Sequence, residues 1–180
     1  MLQLPPWPTW YSLHPLIIHF PIALLLVSPL FLLIGAVRNP LKGRPYLVVA
    51  LILLLLGTAS LFLSVRTGVA ASELVDRTPP VEGLLLTHET LATETRNVFG
   101  TLSVIAVGIL FLPVLFGKAD RILFSRVLPL SFLVFYAVGI IFLVNTADAG
   151  GRLVHEYGVH STISPRAEQS LESSSGAINE

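Results

Sequence analysis

The stretch YSLHPLIIHFPIALLLVSPLFLLIGAV, residues 11–37, sets two demands against each other. From position 15 to position 37 it carries no Asp, Glu, Lys or Arg, and its length is close to the ~20 residues that a helix needs to cross a bilayer. Yet it opens on His14 and His19, and an ionisable ring is costly in lipid unless it has a partner or a role. The apolar run decides the fold class, and the histidines raise the question of function.

Three further uncharged apolar runs follow, at 45–65, 97–117 and 127–147. The whole chain of 180 residues is 53% hydrophobic and 12% charged, against roughly 25% charged residues in an ordinary soluble domain. The expected fold is therefore an all-α membrane protein, a bundle of four transmembrane helices. The organisation expected is an N-terminal segment 1–13 with interfacial aromatics (Trp7, Trp10, Tyr11), a membrane domain 14–160, and a flexible polar tail 161–180. The Ser-rich tail has too few apolar residues to form a core. Residues before Leu16 lack a basic n-region and the apolar run is too long for a signal peptide, so span one is expected to be retained.

Orientation is read from the short connections. Arg38, Lys42 and Arg44 separate spans one and two, and Lys118, Arg121 and Arg126 separate spans three and four. The positive-inside rule puts both connections in the cytoplasm and both termini outside, in the inner membrane of a bacterium. Every acidic residue except Asp120 then falls on the outer side. The helices are expected to extend on that side: span two through SVRTGVAASELV, and span three from THETLATETRNVFG with Thr87 as N-cap. Between them DRTPPVEG reads as a proline-broken turn. After span four, Asn145, Asp148, Arg152 and His155 share a face if the helix continues through Gly150 and Gly151.

In this threading all five histidines are on the outer side: His14 and His19 at the start of span one, His88 ahead of span three, His155 and His160 after span four. His14 and His19 are separated by about 7.5 Å of rise and roughly 140° of rotation, so they do not form a same-face chelating pair. Pro15 suits a first helical position with His14 at the cap, and Pro21 releases the carbonyl of Ile17. His19, one turn further in, is the stronger candidate for the interior. Small residues in span two (Gly57, Ala59, Ser60, Ser64) and span three (Gly100, Ser103, Gly108) permit close packing or room for a flat cofactor. Arg152 with Glu156, and Glu89 with Arg96, are placed as weak exposed ion pairs.

The segments HPLIIHFPIALL, VRTGVAASEL, THETLATETRN and GGRLVHEYGV together resemble the bacterial four-span membrane family known as domain of unknown function twenty-two thirty-one. The resemblance covers about residues 13 to 160. The domain also occurs joined to Rieske or c-type cytochrome modules, which implies respiratory electron transfer. Many members read LVYxHG where this chain reads LVHEYG, with His155 and Tyr157 exchanged. The ring moves about 200° around a helix by that exchange, which separates His155 from the family pattern.

One expectation is a single b-type haem held near the outer surface by histidines of two helices, because bundles build cofactor sites from facing helices and imidazole is a haem ligand. The preferred pair is His19 with His88. His155 is the alternative second ligand, and His14 a further donor or propionate partner. Glu94 or Asp148 would fix the tautomer of a ligating ring, with Arg152 nearby. The rival is a cofactor-free scaffold or interaction subunit; a third reading is an outer-side quinol or metal-ion site on the same residues. An electron-transfer or accessory subunit fits better than a stand-alone enzyme. Partners expected are the lipid bilayer and a Rieske protein, c-type cytochrome or quinol.

The chain has no cysteine, which excludes a covalently attached c-type haem, a cysteine-ligated cluster, disulfides and a thiol nucleophile. It has no phosphate-cradling glycine loop, no GxSxG and no basic stripe for nucleic acid. The inner halves of the spans contain no acid, base, histidine, Asn or Gln. Neither ion pumping nor electron transfer across the bilayer is expected of the chain alone, since both need stations through the core.

Overall fold

A computed structural model describes residues 9–117 and 121–159. The segment up to Pro8, the cluster from Lys118 to Asp120, and everything from His160 onward, including the polar tail, lie outside the described residues. Four helices are long and apolar enough to cross a membrane: α1 (Tyr11–Val37), α2 (Pro40–Ser72), α3 (Pro79–Leu115) and α4 (Leu123–His155). No strand occurs among the described residues. The helices form two hairpins, α1–α2 and α3–α4, and the bundle is closed by α2 against α3 and α1 against α4.

The first connection is shorter than the sequence implies. Helix α1 ends at Val37 and α2 starts at Pro40, with the Asn39 side chain accepting from the Leu41 N–H at 3.3 Å. An Asn cap followed by proline at the first helical position satisfies or removes the orphan donors there. Lys42 and Arg44 therefore stand in the opening turns of α2. Arg38 lies over the Tyr46 ring at 4.9 Å.

The second connection corrects two expectations. Helix α3 begins eight residues ahead of Thr87, with Thr78 as cap residue and Pro79 and Pro80 in its first turn. The two prolines open this helix instead of breaking the chain, because their missing N–H groups fall where a helix has no acceptor to offer. The turn is confined to residues 73–78, and Thr87 is an interior residue whose hydroxyl donates to the Gly83 carbonyl at 2.9 Å. At the other end of the second hairpin, α4 continues through Gly150 and Gly151 to His155. Three residues past its end, Gly158 at φ 65° turns the chain away while its N–H donates to the Val154 carbonyl at 3.1 Å; this is the left-handed cap that glycine accepts without strain.

The core is the apolar face of all four helices, with Leu25, Leu54, Phe99 and Tyr136 buried in it. Glycine sets the closest approaches. A Cβ on Gly57 would lie 2.7 Å from the Leu25 side chain, and one on Gly43 would overlap the Gly35 carbonyl of α1. Small residues at a crossing let backbones come together where lipid offers no hydrophobic drive for association.

Prolines inside the helices leave carbonyls to be satisfied. Pro29 has no N–H for the Leu25 carbonyl, and Tyr136 of α4 fills the vacancy, its hydroxyl donating at 2.8 Å. Tyr136 is wedged edge-on against Phe99 and Phe132, with ring centroids 5.5 and 6.0 Å away. Two more polar links cross the core: Ser28 donates to the Ala50 carbonyl, and Thr58 pairs with Ser103 at 2.9 Å between the hairpins. A buried polar group in an apolar medium needs such a partner.

Candidate functional site

The end of the bundle that carries the 73–78 turn holds two half-buried histidines in nearly identical settings. His14, near the start of α1, places Nδ1 3.0 Å from the Ser64 carbonyl of α2. His88, in the early turns of α3, places Nδ1 3.0 Å from the Thr146 carbonyl of α4. A carbonyl can only accept, so in each ring Nδ1 carries a proton, and in the neutral form of the ring Nε2 keeps its lone pair. A metal-ligating histidine is commonly fixed in this way, by donating its other N–H to a backbone carbonyl.

The rings rest on glycines. A Cβ on Gly68 would stand 2.9 Å from Cε1 of His14, and a Cβ on Gly150 would stand 2.9 Å from Cε1 of His88. The reason lies in helix geometry: the residue four positions after a carbonyl sits over it. Gly68 follows Ser64 by four and Gly150 follows Thr146 by four, so only glycine leaves space for a ring to reach that oxygen. The acceptor residues match as well. The Ser64 hydroxyl turns back to the Ser60 carbonyl at 2.9 Å, and the Thr146 hydroxyl turns back to the Phe142 carbonyl at 2.8 Å.

Each hairpin thus supplies one imidazole from its first helix and one carbonyl-and-glycine seat from its second. The two seats stand at the same end of the bundle, His14 held against α2 and His88 held against α4. Among the described residues no three His, Cys, Asp or Glu side chains come together as a set of metal ligands. What the protein offers here is two imidazoles, each anchored through Nδ1.

The other residues singled out from sequence lie elsewhere. His19 is exposed; with His14 turned toward α2, a residue roughly 140° further round α1 must face outward, so of the two it is His14, not the deeper His19, that enters the bundle. His155 is exposed at the end of α4, and Tyr157 beyond it is exposed too. Glu94, Asp148 and Arg152 are exposed, and the Nδ1 atoms are held by the Ser64 and Thr146 carbonyls. Arg152 pairs with Glu156 at 3.1 Å on the surface. Arg96 donates to Asn97 and lies over the Phe62 ring at 5.5 Å.

The anchors carry a signal of their own in the sequence. The pattern Ser/Thr-x-x-x-Gly occurs only twice in the chain, as SVRTG at 64–68 and TADAG at 146–150. Both copies lie in the second helix of a hairpin, level with a histidine of the first.

A family model described as "Predicted membrane protein (DUF2231)" matches residues 11–163. The chain belongs to this family. The match begins at the first turn of α1 and takes in all four helices, so both histidine seats lie within the DUF2231 domain. The chain matches no curated protein and no solved structure.

Proposed function

We propose that this DUF2231 protein is a membrane electron-transfer subunit that holds one b-type haem between the imidazoles of His14 and His88. The observation that carries the reading is the twin seat: two neutral rings, each locked by Nδ1–H on a carbonyl and each presenting Nε2. A bare metal ion wants three or more protein donors. An iron whose four equatorial positions are filled by a porphyrin needs only two, and imidazole is a standard axial ligand. Bound there, the haem would supply one-electron chemistry, and the chain's part is to orient the donors and keep them neutral.

The placement of the site fits a lateral role. Counting from the end of α1 at Val37, His14 is 23 positions away, or about 35 Å of helix, against a hydrocarbon core of ~30 Å. With Arg38, Lys42, Arg44, Arg121 and Arg126 at the opposite end, the positive-inside rule puts the histidines at the outer interface of a bacterial inner membrane, with the termini outside. An electron would then pass between a quinol or membrane partner and an extracytoplasmic acceptor such as a Rieske or c-type cytochrome protein.

The test is the optical spectrum of the protein purified in mild detergent from haem-sufficient cells. A dithionite-reducible b-type Soret band at one haem per chain is the expected result. A colourless preparation overturns the haem reading and favours a cofactor-free interaction subunit.

A further inference from the structure

The two histidine seats share the ring, the acceptor carbonyl and the glycine; they differ in that the Thr146 hydroxyl also pairs with Thr95 at 2.8 Å, and in one residue beside the ring. Three residues after each acceptor carbonyl, on the turn between that carbonyl and the glycine, the first hairpin has Thr67 and the second has Ala149. Both positions are buried. The Thr67 hydroxyl lies 3.3 Å from His14 Nδ1, and also 3.0 Å from the Ser64 carbonyl and 3.1 Å from the Leu63 carbonyl. The Thr67 proton is directed to one of those carbonyls, so its oxygen accepts from the imidazole. His14 Nδ1–H is therefore shared between two acceptors on α2, and His88 Nδ1–H is given to the Thr146 carbonyl.

We infer that Thr67 is a positioning residue that makes His14 the more firmly held and more electron-rich of the two imidazoles, so that the two donors of the site are inequivalent. A second acceptor on the same N–H narrows the range of ring orientations and draws the proton further from Nδ1. Electron density on Nε2 rises as a result, which is the effect by which outer hydrogen bonds raise ligand basicity. Chains of hydrogen bonds polarise one another in a low dielectric, and Thr67 with Ser64 forms such a chain. The inference rests on the reading of these rings as ligands only in its redox consequence: a more basic axial imidazole favours the oxidised iron and lowers the midpoint potential. The inequivalence itself belongs to the protein.

Two measurements separate the claims. The first is the Nδ1–H resonances of the two seated histidines in 15N-histidine-labelled full-length protein in detergent micelles, assigned by His14→Gln and His88→Gln and taken in the reduced state where the protein is coloured. Thr67→Val, which keeps the shape and removes the hydroxyl, should move the His14 proton upfield toward that of His88 and leave the latter in place. Thr67→Ser should restore the wild-type position, and Ala149→Ser should move the His88 proton downfield. The second is the midpoint potential, which Thr67→Val should raise and Thr67→Ser should leave near wild type. A colourless protein would defeat the haem reading while leaving the resonance test in force. A His14 resonance unmoved by Thr67→Val overturns the inference whether or not haem is present.

Discussion

Replacing Gly43 by valine is expected to pry apart the first hairpin and to remove about 3 kcal/mol or more of stability, the upper range for overpacking a close contact. The atom that a Cβ at Gly43 would strike is the backbone carbonyl of Gly35, not the end of a flexible side chain. Backbone cannot move aside without the helix moving with it. The shift would spread along α1 and α2, which make the most extensive helix–helix contact of the bundle, and would carry His14 away from Ser64. Gly100→Ala is the matched control, since the nearest atom to a Cβ there is Phe62 Cζ at 4.0 Å. Thermal unfolding in detergent should show a large loss for Gly43→Val and a neutral or slightly positive change for Gly100→Ala, where alanine also has the better helix propensity.

Adjacent glycines in α4 should respond in opposite ways. Gly150→Ala puts a methyl group 2.9 Å from Cε1 of His88, and nothing lies within 4 Å of a Cβ on Gly151. The alanine at 150 forces the imidazole off its seat and loosens the Nδ1–H bond to Thr146. Loss of such an outer partner weakens metal binding by roughly 10–100-fold, so in the proposed haem site retention should fall by that order, and Gly68→Ala should do the same through His14. Gly151→Ala only removes backbone freedom from the unfolded chain and should stabilise the helix by about 0.5–1 kcal/mol. Haem content per chain and unfolding temperature, measured on both variants, check the pair. Equal behaviour of Gly150→Ala and Gly151→Ala would mean that Gly150 does not seat the His88 ring.

Much of the architecture is legible in the sequence because a membrane span is a matter of length and of missing charge, and residues 15–37, 45–65, 97–117 and 127–147 satisfy both. The ends of the helices are less legible. Prolines 79 and 80 read as a break and instead open α3, and Gly150 with Gly151 read as a possible stop while α4 passes through them. The reasons differ: the prolines fall in a first turn that needs no donors, which is local, whereas the glycine pair is kept helical where a ring from another helix must be seated on a residue without a side chain. The site is legible in kind and not in identity. That histidines gather at one end follows from the threading, but which of His14 and His19 turns inward depends on the rotation of α1, and a single sequence fixes that phase only when the partner is known. The partner was Ser64-x-x-x-Gly68, a pattern that has meaning beside a histidine and reads as ordinary small-residue packing without one.

The central claim is that His14 and His88, one from each hairpin, are the paired donors of a single haem. The most direct measurement is the low-temperature electron paramagnetic resonance spectrum of the oxidised protein, taken together with haem content, for His14→Ala, His88→Ala, His19→Ala and His155→Ala beside the wild type. The expected result is a low-spin bis-imidazole signal in the wild type, kept in the His19 and His155 variants and lost, with most of the haem, in each of the other two. A signal that survives His14→Ala and disappears with His19→Ala would contradict it.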